Sequence, residues 1–99
     1  MKYILTCDAG TTGCKAAVFD EDGYEVFAVT GAYDTLYPKP NWAEQDMNII
    51  WNKCAESIKT CVENVGAKNI AAVGLTGTMN GVIPVDSEGN ALFNNIIHC

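Results

Sequence analysis

The amino-acid sequence predicts an α/β fold, in which a three-stranded antiparallel meander is followed by one long helix and by a strand parallel to its neighbour. Short apolar runs separated by glycine-containing turns fill residues 3–32, which is typical of strands joined by hairpins. Apolar residues then recur at three- and four-residue spacing over residues 47–65, the period of an amphipathic helix. The run at residues 70–76 is almost entirely apolar and therefore favours a strand buried on both faces of a parallel sheet.

The first three strands are predicted from their apolar runs and from the turns that end them. A strand at residues 3–7 leads into a turn at 8–13, and a second strand follows at 14–19. Residues 20–23 read Asp-Glu-Asp-Gly, and such residues tolerate the positive φ angles of a hairpin, which returns the chain into a third strand at 24–32. Consecutive strands joined by tight turns pair antiparallel, so we expect a meander.

The predicted helix at residues 47–65 has a signal at each end. Asp46 can cap its amino terminus, and Gly66 stands where a carboxyl-terminal cap belongs. Trp51 follows the apolar spacing and is expected in the core beneath the helix.

Two segments are predicted from their turn chemistry. Residues 33–45 are expected to form an irregular surface loop, because Pro38 and Pro40 exclude regular strand pairing. Residues 82–85 and 91–97 flank a turn-forming Asp-Ser-Glu-Gly-Asn segment, and they are expected to pair as the two limbs of a hairpin.

Length, composition and charge exclude several classes of protein. At 99 residues and 10.6 kDa, the chain can form at most one small domain or part of one. Its apolar content of 48% and charged content of 18% indicate core-forming material rather than a disordered tail. Twelve acidic residues against six lysines and no arginine give a net charge of -6, so neither nucleic acid nor an anionic membrane is an expected partner.

The expected compartment is the cytoplasm. No apolar run approaches the roughly 20 residues that span a bilayer, and no cleavage signal follows the amino terminus. The cysteines are odd in number and contain no C-x-x-C pair, which fits a reducing compartment better than a disulfide framework. All five are expected to be small buried apolar residues: Cys7, Cys14, Cys54, Cys61 and Cys99.

The turn after the first strand is a candidate phosphate-binding hairpin. Another strand follows its glycines, so neither a dinucleotide-binding G-x-G-x-x-G turn nor a P-loop is supported. Gly10 leaves the backbone open, and Thr11 and Thr12 offer hydroxyls and N–H donors to an anion. The Asp8 carboxylate suits Mg²⁺ held largely through water. An ordinary hairpin turn is the alternative interpretation.

Residues 4–12 read ILTCDAGTT, and residues 37–46 read YPKPNWAEQD. The first segment is similar to the first phosphate motif of the FGGY carbohydrate kinases, which lie in the superfamily of sugar kinases, Hsp70 and actin. The second resembles the segment before the first helix of that family. Residues 17–23 and 70–77 continue the likeness over essentially the whole chain. The resemblance implies a ribonuclease H-like, actin-like ATPase motif, with residues 1–99 as the amino-terminal part of the first kinase domain and therefore an incomplete domain.

The same resemblance implies an activity: transfer of the γ-phosphoryl group of ATP to a hydroxyl of a small sugar or polyol, with Mg²⁺ as cofactor. Asp8 would organise Mg²⁺ and the transferring phosphate, and Gly10, Thr11 and Thr12 would hold phosphate oxygens. Lys15 could pair with the phosphates, although a solvated strand lysine is the alternative. Because the chain is net acidic, attraction of the ATP anion must be local.

The resemblance also suggests where the acceptor binds. Thr78, Met79 and Asn80 stand where xylulose- and gluconate-kinase-like members carry Gln-Met-His and where glycerol kinases carry Arg-Glu. Glycerol is therefore disfavoured as acceptor, and Asn80 can still hydrogen-bond sugar hydroxyls.

The remaining catalytic parts of such a kinase are expected outside these residues. The family's general-base aspartate, second phosphate motif and adenosine pocket lie beyond the equivalent of Cys99, so this chain alone is predicted to be inactive. The apolar strand at 70–76 requires cover on both faces, so we expect marginal stability and either self-association or dependence on the remainder of the kinase chain. A free-standing phosphate- or nucleotide-binding module and an actin-like assembly protein are the alternatives.

Overall fold

The computed structural model describes residues 2–77 and 81–97 of the protein. A four-stranded mixed sheet carries one long helix on one face, and a two-stranded sheet lies beside it. The elements in chain order are β1 (Tyr3–Ala9), β2 (Gly13–Phe19), β3 (Glu25–Ala32), β4 (Ala43–Gln45), α1 (Met47–Val65), a 3₁₀ turn (Ala67–Asn69), β5 (Ile70–Gly77) and β6 (Asn95–Ile97).

The large sheet has the predicted meander and the predicted parallel strand. Its order is β3-β2-β1-β5, in which β1 pairs antiparallel with β2 and parallel with β5. The first turn is shorter than predicted, because Asp8 and Ala9 continue the β1 ladder opposite Lys15 and Cys14. Only residues 10–12 connect the two strands.

Helix α1 begins and ends where its sequence predicts. Asp46 Oδ1 accepts a hydrogen bond from the Asn48 amide at 2.9 Å, and Gly66, at φ 88°, donates its amide hydrogen to the Val62 carbonyl. Trp51 is 65% exposed, so its predicted place in the core is wrong. It lies roughly 100° around the helix from buried Ile50, away from the buried stripe. No helix in the described part of the chain has the length and apolar content to cross a membrane.

The core lies between α1 and one face of the sheet. The buried side chains on this face alternate along two strands, as one face of a pleated sheet requires: Leu5 and Cys7 on β1, and Cys14, Ala16 and Val18 on β2. Four of the five cysteines are buried and free, as predicted, and Cys99 lies outside the described residues. The sheet side of this core is therefore packed by small or medium apolar groups.

Strand β5 does not have the predicted burial. Of its residues only Ile70 is partly buried, and Val73 and Leu75 are 57% and 75% exposed. The prediction fails because α1 packs across β1, β2 and β3, so most of β5 has no covering layer among residues 2–77 and 81–97.

The segment at 33–45 is not irregular throughout. Its last three residues form β4, which pairs antiparallel with β6, and Leu36 bridges Glu44. Both prolines lie before this strand, Pro38 in a bend and Pro40 in a turn closed by the Trp42 amide and the Lys39 carbonyl, so they do not interrupt the pairing.

The predicted hairpin near the end of the chain is only partly formed. Single bridges join Val85 to Ala91 and Val82 to Ile96, whereas the three residues of β6 make their continuous ladder with β4. Residues 82–85 therefore do not form a regular strand.

Candidate phosphate-binding site

Four polar residues lie in register across the large sheet. Asp8 pairs with Lys15 on β2 and with Thr76 on β5, and Lys15 pairs with Thr30 on β3. Successive residues of a strand face opposite sides, and Cys7 faces α1, so this polar row lies on the face that the helix leaves open. The sheet thus places a carboxylate, an ammonium group and two hydroxyls side by side.

The predicted phosphate-site residues come together only in part. Asp8, Thr12 and Lys15 line one groove of about 320 Å³, whereas Gly10 lines a second cavity. The Asp8 side chain is exposed and makes neither a hydrogen bond nor an ion pair within the described ranges. Lys15 Nζ lies 2.9 Å from Glu25 Oε1, and both side chains are exposed. Such a pair contributes only about 0–1 kcal/mol, so Lys15 can exchange Glu25 for an anion.

The carbonyl groups of the connecting loop are held by two buried side chains. Tyr33 Oη donates to the Gly10 carbonyl at 2.5 Å, and Gln45 Nε2 donates to the Thr11 carbonyl at 2.7 Å. The Tyr33 amide donates to the Thr12 carbonyl at 3.2 Å. Three successive carbonyl oxygens are therefore occupied by donors from Tyr33 and Gln45.

This arrangement leaves the loop with free donors rather than free acceptors. The hydrogen bonds of residues 2–77 and 81–97 use neither the Thr11 nor the Thr12 amide hydrogen. Successive free amide groups in a turn favour an anion. Gly13 closes the loop where a Cβ would lie 2.5 Å from the Gly31 carbonyl oxygen, so only glycine lets β3 approach this closely.

The surroundings of Tyr33 keep it a hydrogen-bond donor. Burial, followed by the neighbouring Cys54 and Cys14 thiols and the Asp8 carboxylate, raises the pKa of Tyr33 to about 12. Burial also raises the pKa of Cys54 to about 12. At neutral pH the phenol and this thiol therefore stay protonated, and the Gly10 carbonyl keeps its donor.

Asp8 offers a metal ion a single carboxylate. Among the described residues, no group of three or more histidine, cysteine or acidic side chains could hold one. A cation at Asp8 would therefore take most of its ligands from phosphate and water oxygens. Mg²⁺ binds in this way in phosphate sites, so the exposed carboxylate beside free amide donors fits a magnesium phosphate group.

The sequence pattern does not predict two residues of this site, Tyr33 and Gln45. Tyr33 carries no local signal, because its contact with Gly10 joins residues 23 positions apart. Gln45 lies in the segment that carries the family resemblance, which is the one signal that could have identified it. Of the predicted acceptor residues, Thr78, Met79 and Asn80 lie outside the described residues.

Comparison with known proteins decides the family. The model for the FGGY family of carbohydrate kinases, N-terminal domain, matches residues 3–99. The chain belongs to this family. Glycerol kinase 2 of Thermotoga maritima is 39% identical over 100 residues, which cover 98% of this chain and 20% of the relative.

Solved structures of two sugar kinases share the fold. The ligand-bound xylulose kinase of Lactobacillus acidophilus matches with a TM-score of 0.88 and 31% identity, over 97% of this chain and 19% of its own. Gluconate kinase from the same organism matches with a TM-score of 0.88 and 32% identity, over 96% of this chain and 19% of its own. The actin-like ATPase fold is confirmed, and the chain spans about a fifth of the length of these relatives, as part of a domain.

Proposed function

We propose that this chain is the phosphate-binding part of an ATP-dependent carbohydrate kinase, which transfers the γ-phosphoryl group of ATP to a hydroxyl of a sugar or polyol. The observation that carries the proposal is the loop at residues 10–12, whose carbonyls are held by Tyr33 and Gln45 while the Thr11 and Thr12 amides stay free. Membership of the FGGY family supports it.

Each site residue has a role that its position supports. The Thr11 and Thr12 amides would bind phosphate oxygens, and Gly10 would let the backbone approach them. Asp8 would orient the hydrated Mg²⁺, and Lys15 would exchange Glu25 for a phosphate oxygen. Bound Mg²⁺ supplies charge neutralisation on the phosphates. With a net charge of -6, the chain must attract ATP through these local donors.

The acceptor is a small polyhydroxyl compound. The named relatives are glycerol, xylulose and gluconate kinases, so glycerol stays in the set of candidate acceptors although the residue types at 78–80 disfavour it. We propose that Thr78, Met79 and Asn80 contact this acceptor. A panel of glycerol, xylulose and gluconate is therefore the first substrate set to test.

The test measures phosphoryl transfer by the complete protein that contains this chain. Asp8→Asn keeps the size of the side chain and removes its charge, so we expect kcat to fall by about 10²-fold or more. Asp22→Asn, in the exposed β2–β3 turn, is the matched control and should change kcat by less than about twofold. The 99-residue chain alone should transfer no phosphoryl group.

Two results would contradict the proposal. Transfer that survives Asp8→Asn unchanged would remove Asp8 from the phosphate site. The complete protein could instead bind ATP in a magnesium-dependent way but phosphorylate no member of the panel. If Asp8→Asn also abolished that binding, the result would support a nucleotide-binding module.

A further inference from the structure

Each peptide group of the loop at residues 10–12 joins the carbonyl of one residue to the N–H of the next. The Gly10 carbonyl therefore shares a rigid, planar group with the Thr11 amide, and the Thr11 carbonyl shares one with the Thr12 amide. No cis peptide bond occurs among the described residues, and in a trans group the C=O and N–H bonds point in opposite directions. A donor that holds the carbonyl on one side consequently directs the amide to the other side.

The two carbonyls are held from the buried side of the loop. The side chains of Tyr33 and Gln45, only 7% and 1% exposed, donate to the carbonyls of Gly10 and Thr11. Thr11 and Thr12 are themselves exposed. The carbonyls therefore point towards the interior, and the two N–H groups of the same peptide groups point away from it.

The two hydrogen bonds affect both the direction and the strength of the exposed donors. Without them, each peptide group would be free to rotate and to present its carbonyl oxygen outward, where it would repel a phosphate. A donor on the carbonyl also polarises the peptide group, which strengthens its N–H as a hydrogen-bond donor. The loop therefore depends on its two buried partners to favour an anion.

Both partners are themselves fixed by the fold. Tyr33 packs in the buried cluster beneath α1 with Cys14 and Cys54, and its own amide donates to the Thr12 carbonyl. Gln45 is paired in the β4–β6 ladder, directly before the residue that caps α1. Side chains that packing and pairing hold in place keep a binding loop in one geometry, so the loop is organised before any ligand binds.

We propose that Tyr33 and Gln45 are positioning residues for ATP, which direct the Thr11 and Thr12 N–H groups at its phosphates through the carbonyls of the same peptide groups. The proposal rests on the proposed function of the loop as a phosphate site. Neither side chain contacts ATP in this arrangement, because each donates to a carbonyl on the buried side. Removal of either donor therefore weakens ATP binding while every group that contacts the phosphates stays present.

The experiment compares Tyr33→Phe and Gln45→Met with wild type in the complete protein, using Mg²⁺-ATP and glycerol, xylulose or gluconate. Tyr33→Phe removes only the hydroxyl and keeps the backbone bond to the loop, and Gln45→Met keeps the side-chain length without a donor. We expect each variant to raise the KM for ATP about fivefold, the net effect of one hydrogen bond, while the KM for the acceptor stays within about twofold.

Ser57→Ala is the matched control for a loss of stability alone. Ser57 is 4% exposed beneath α1, and its hydroxyl bonds the Cys14 thiol at 3.6 Å rather than a loop carbonyl. A merely structural role would lower the fraction of folded enzyme, and with it kcat, at an unchanged KM for ATP. Ser57→Ala should therefore leave both KM values within about twofold.

The KM for ATP decides the outcome for each residue. A value within twofold of wild type in one variant would remove that residue from the proposal, and such values in both would overturn it. If Gln45→Met does not fold, Tyr33→Phe, which removes a single oxygen atom, decides alone.

Calorimetric titration with Mg²⁺-ATP, without an acceptor, separates failure of this proposal from failure of the kinase function. Binding that Tyr33→Phe weakens, in a complete protein that shows no transfer, would support the positioning role and contradict the kinase. Transfer with a KM for ATP insensitive to both substitutions would do the reverse. Absence of both ATP binding and transfer would overturn both.

Discussion

The centre of the large sheet and its β5 edge differ in what covers them. At β2 and its neighbours, α1 packs on one face, and Leu5 and Val18 are 1% and 0% exposed. At the β5 end, Val73 and Leu75 are mostly exposed although their strand is equally apolar. The same type of sequence is therefore buried where the described residues supply a second layer and exposed where they do not.

An apolar strand sequence therefore indicates that the strand needs a covering layer, but it does not indicate which residues form that layer. Strand β5 contains no charged residue and no proline, the features by which exposed edge strands avoid pairing with other chains. We expect its cover to come from another surface, either a further part of the proposed kinase or a second copy of this chain.

The largest expected effect comes from replacing leucine with alanine in each of the two regions and comparing the losses of stability. Leu5→Ala should destabilise the 99-residue chain by about 2–5 kcal/mol, because it leaves a cavity under α1. Leu75→Ala, at 75% exposure, should cost less than about 1 kcal/mol. Urea unfolding followed by circular dichroism measures both variants.

The outcome also depends on protein concentration. A cost for Leu75→Ala as large as that for Leu5→Ala would mean that β5 is buried by self-association. The comparison is therefore made at several concentrations, and equal costs at high dilution would contradict the difference in cover between the two regions.

The elements that could be predicted from the sequence are those set by neighbouring residues. Helix α1 follows from its apolar period, from Asp46 as a cap and from Gly66 at positive φ. The meander follows from turns with suitable residues at 20–23. These features depend on residues within a few positions of each other, so the local pattern is sufficient.

The features that could not be predicted depend on distant residues. Strand β4 has only three residues, and its partner β6 lies about fifty positions later, so no periodic pattern marks the pair. The contact of Gln45 with the Thr11 carbonyl spans 34 positions. The exposure of Trp51 depends on where the sheet lies rather than on the helix period. In the candidate site, the residue types of the loop were predictable, but the side chains that hold it were not.

A smaller effect concerns the titrating groups beneath α1. The pKa of Tyr33 is raised from 10.0 to about 12 by burial, so the unfolded chain loses its proton first and stability falls as pH rises from about 10 to 12. Burial also raises the pKa of Cys54, so this thiol adds to the loss of stability as the pH rises above its ordinary pKa. Tyr33→Phe should remove roughly 2 kcal/mol of the stability that the wild type loses at alkaline pH.

Urea unfolding at several pH values between 9 and 12 measures this effect. At pH 7 the same variant should cost about 1 kcal/mol through the lost bond to Gly10. Tyr24→Phe, at an exposed tyrosine, is the matched control and should leave the pH dependence unchanged. Equal pH dependence in wild type and Tyr33→Phe would place the Tyr33 hydroxyl in contact with water.

The smallest expected effect tests whether β5 pairs with a second copy. Leu75→Lys adds a charge to an uncovered strand, which natural edge strands use to prevent pairing, so self-association of the 99-residue chain should weaken by about tenfold. Sedimentation velocity over a range of concentrations measures the shift. Ile49→Lys, at a half-exposed residue of α1, is the control and should leave association unchanged. Equal weakening by both variants would mean that general charge repulsion, rather than an uncovered β5, controls association.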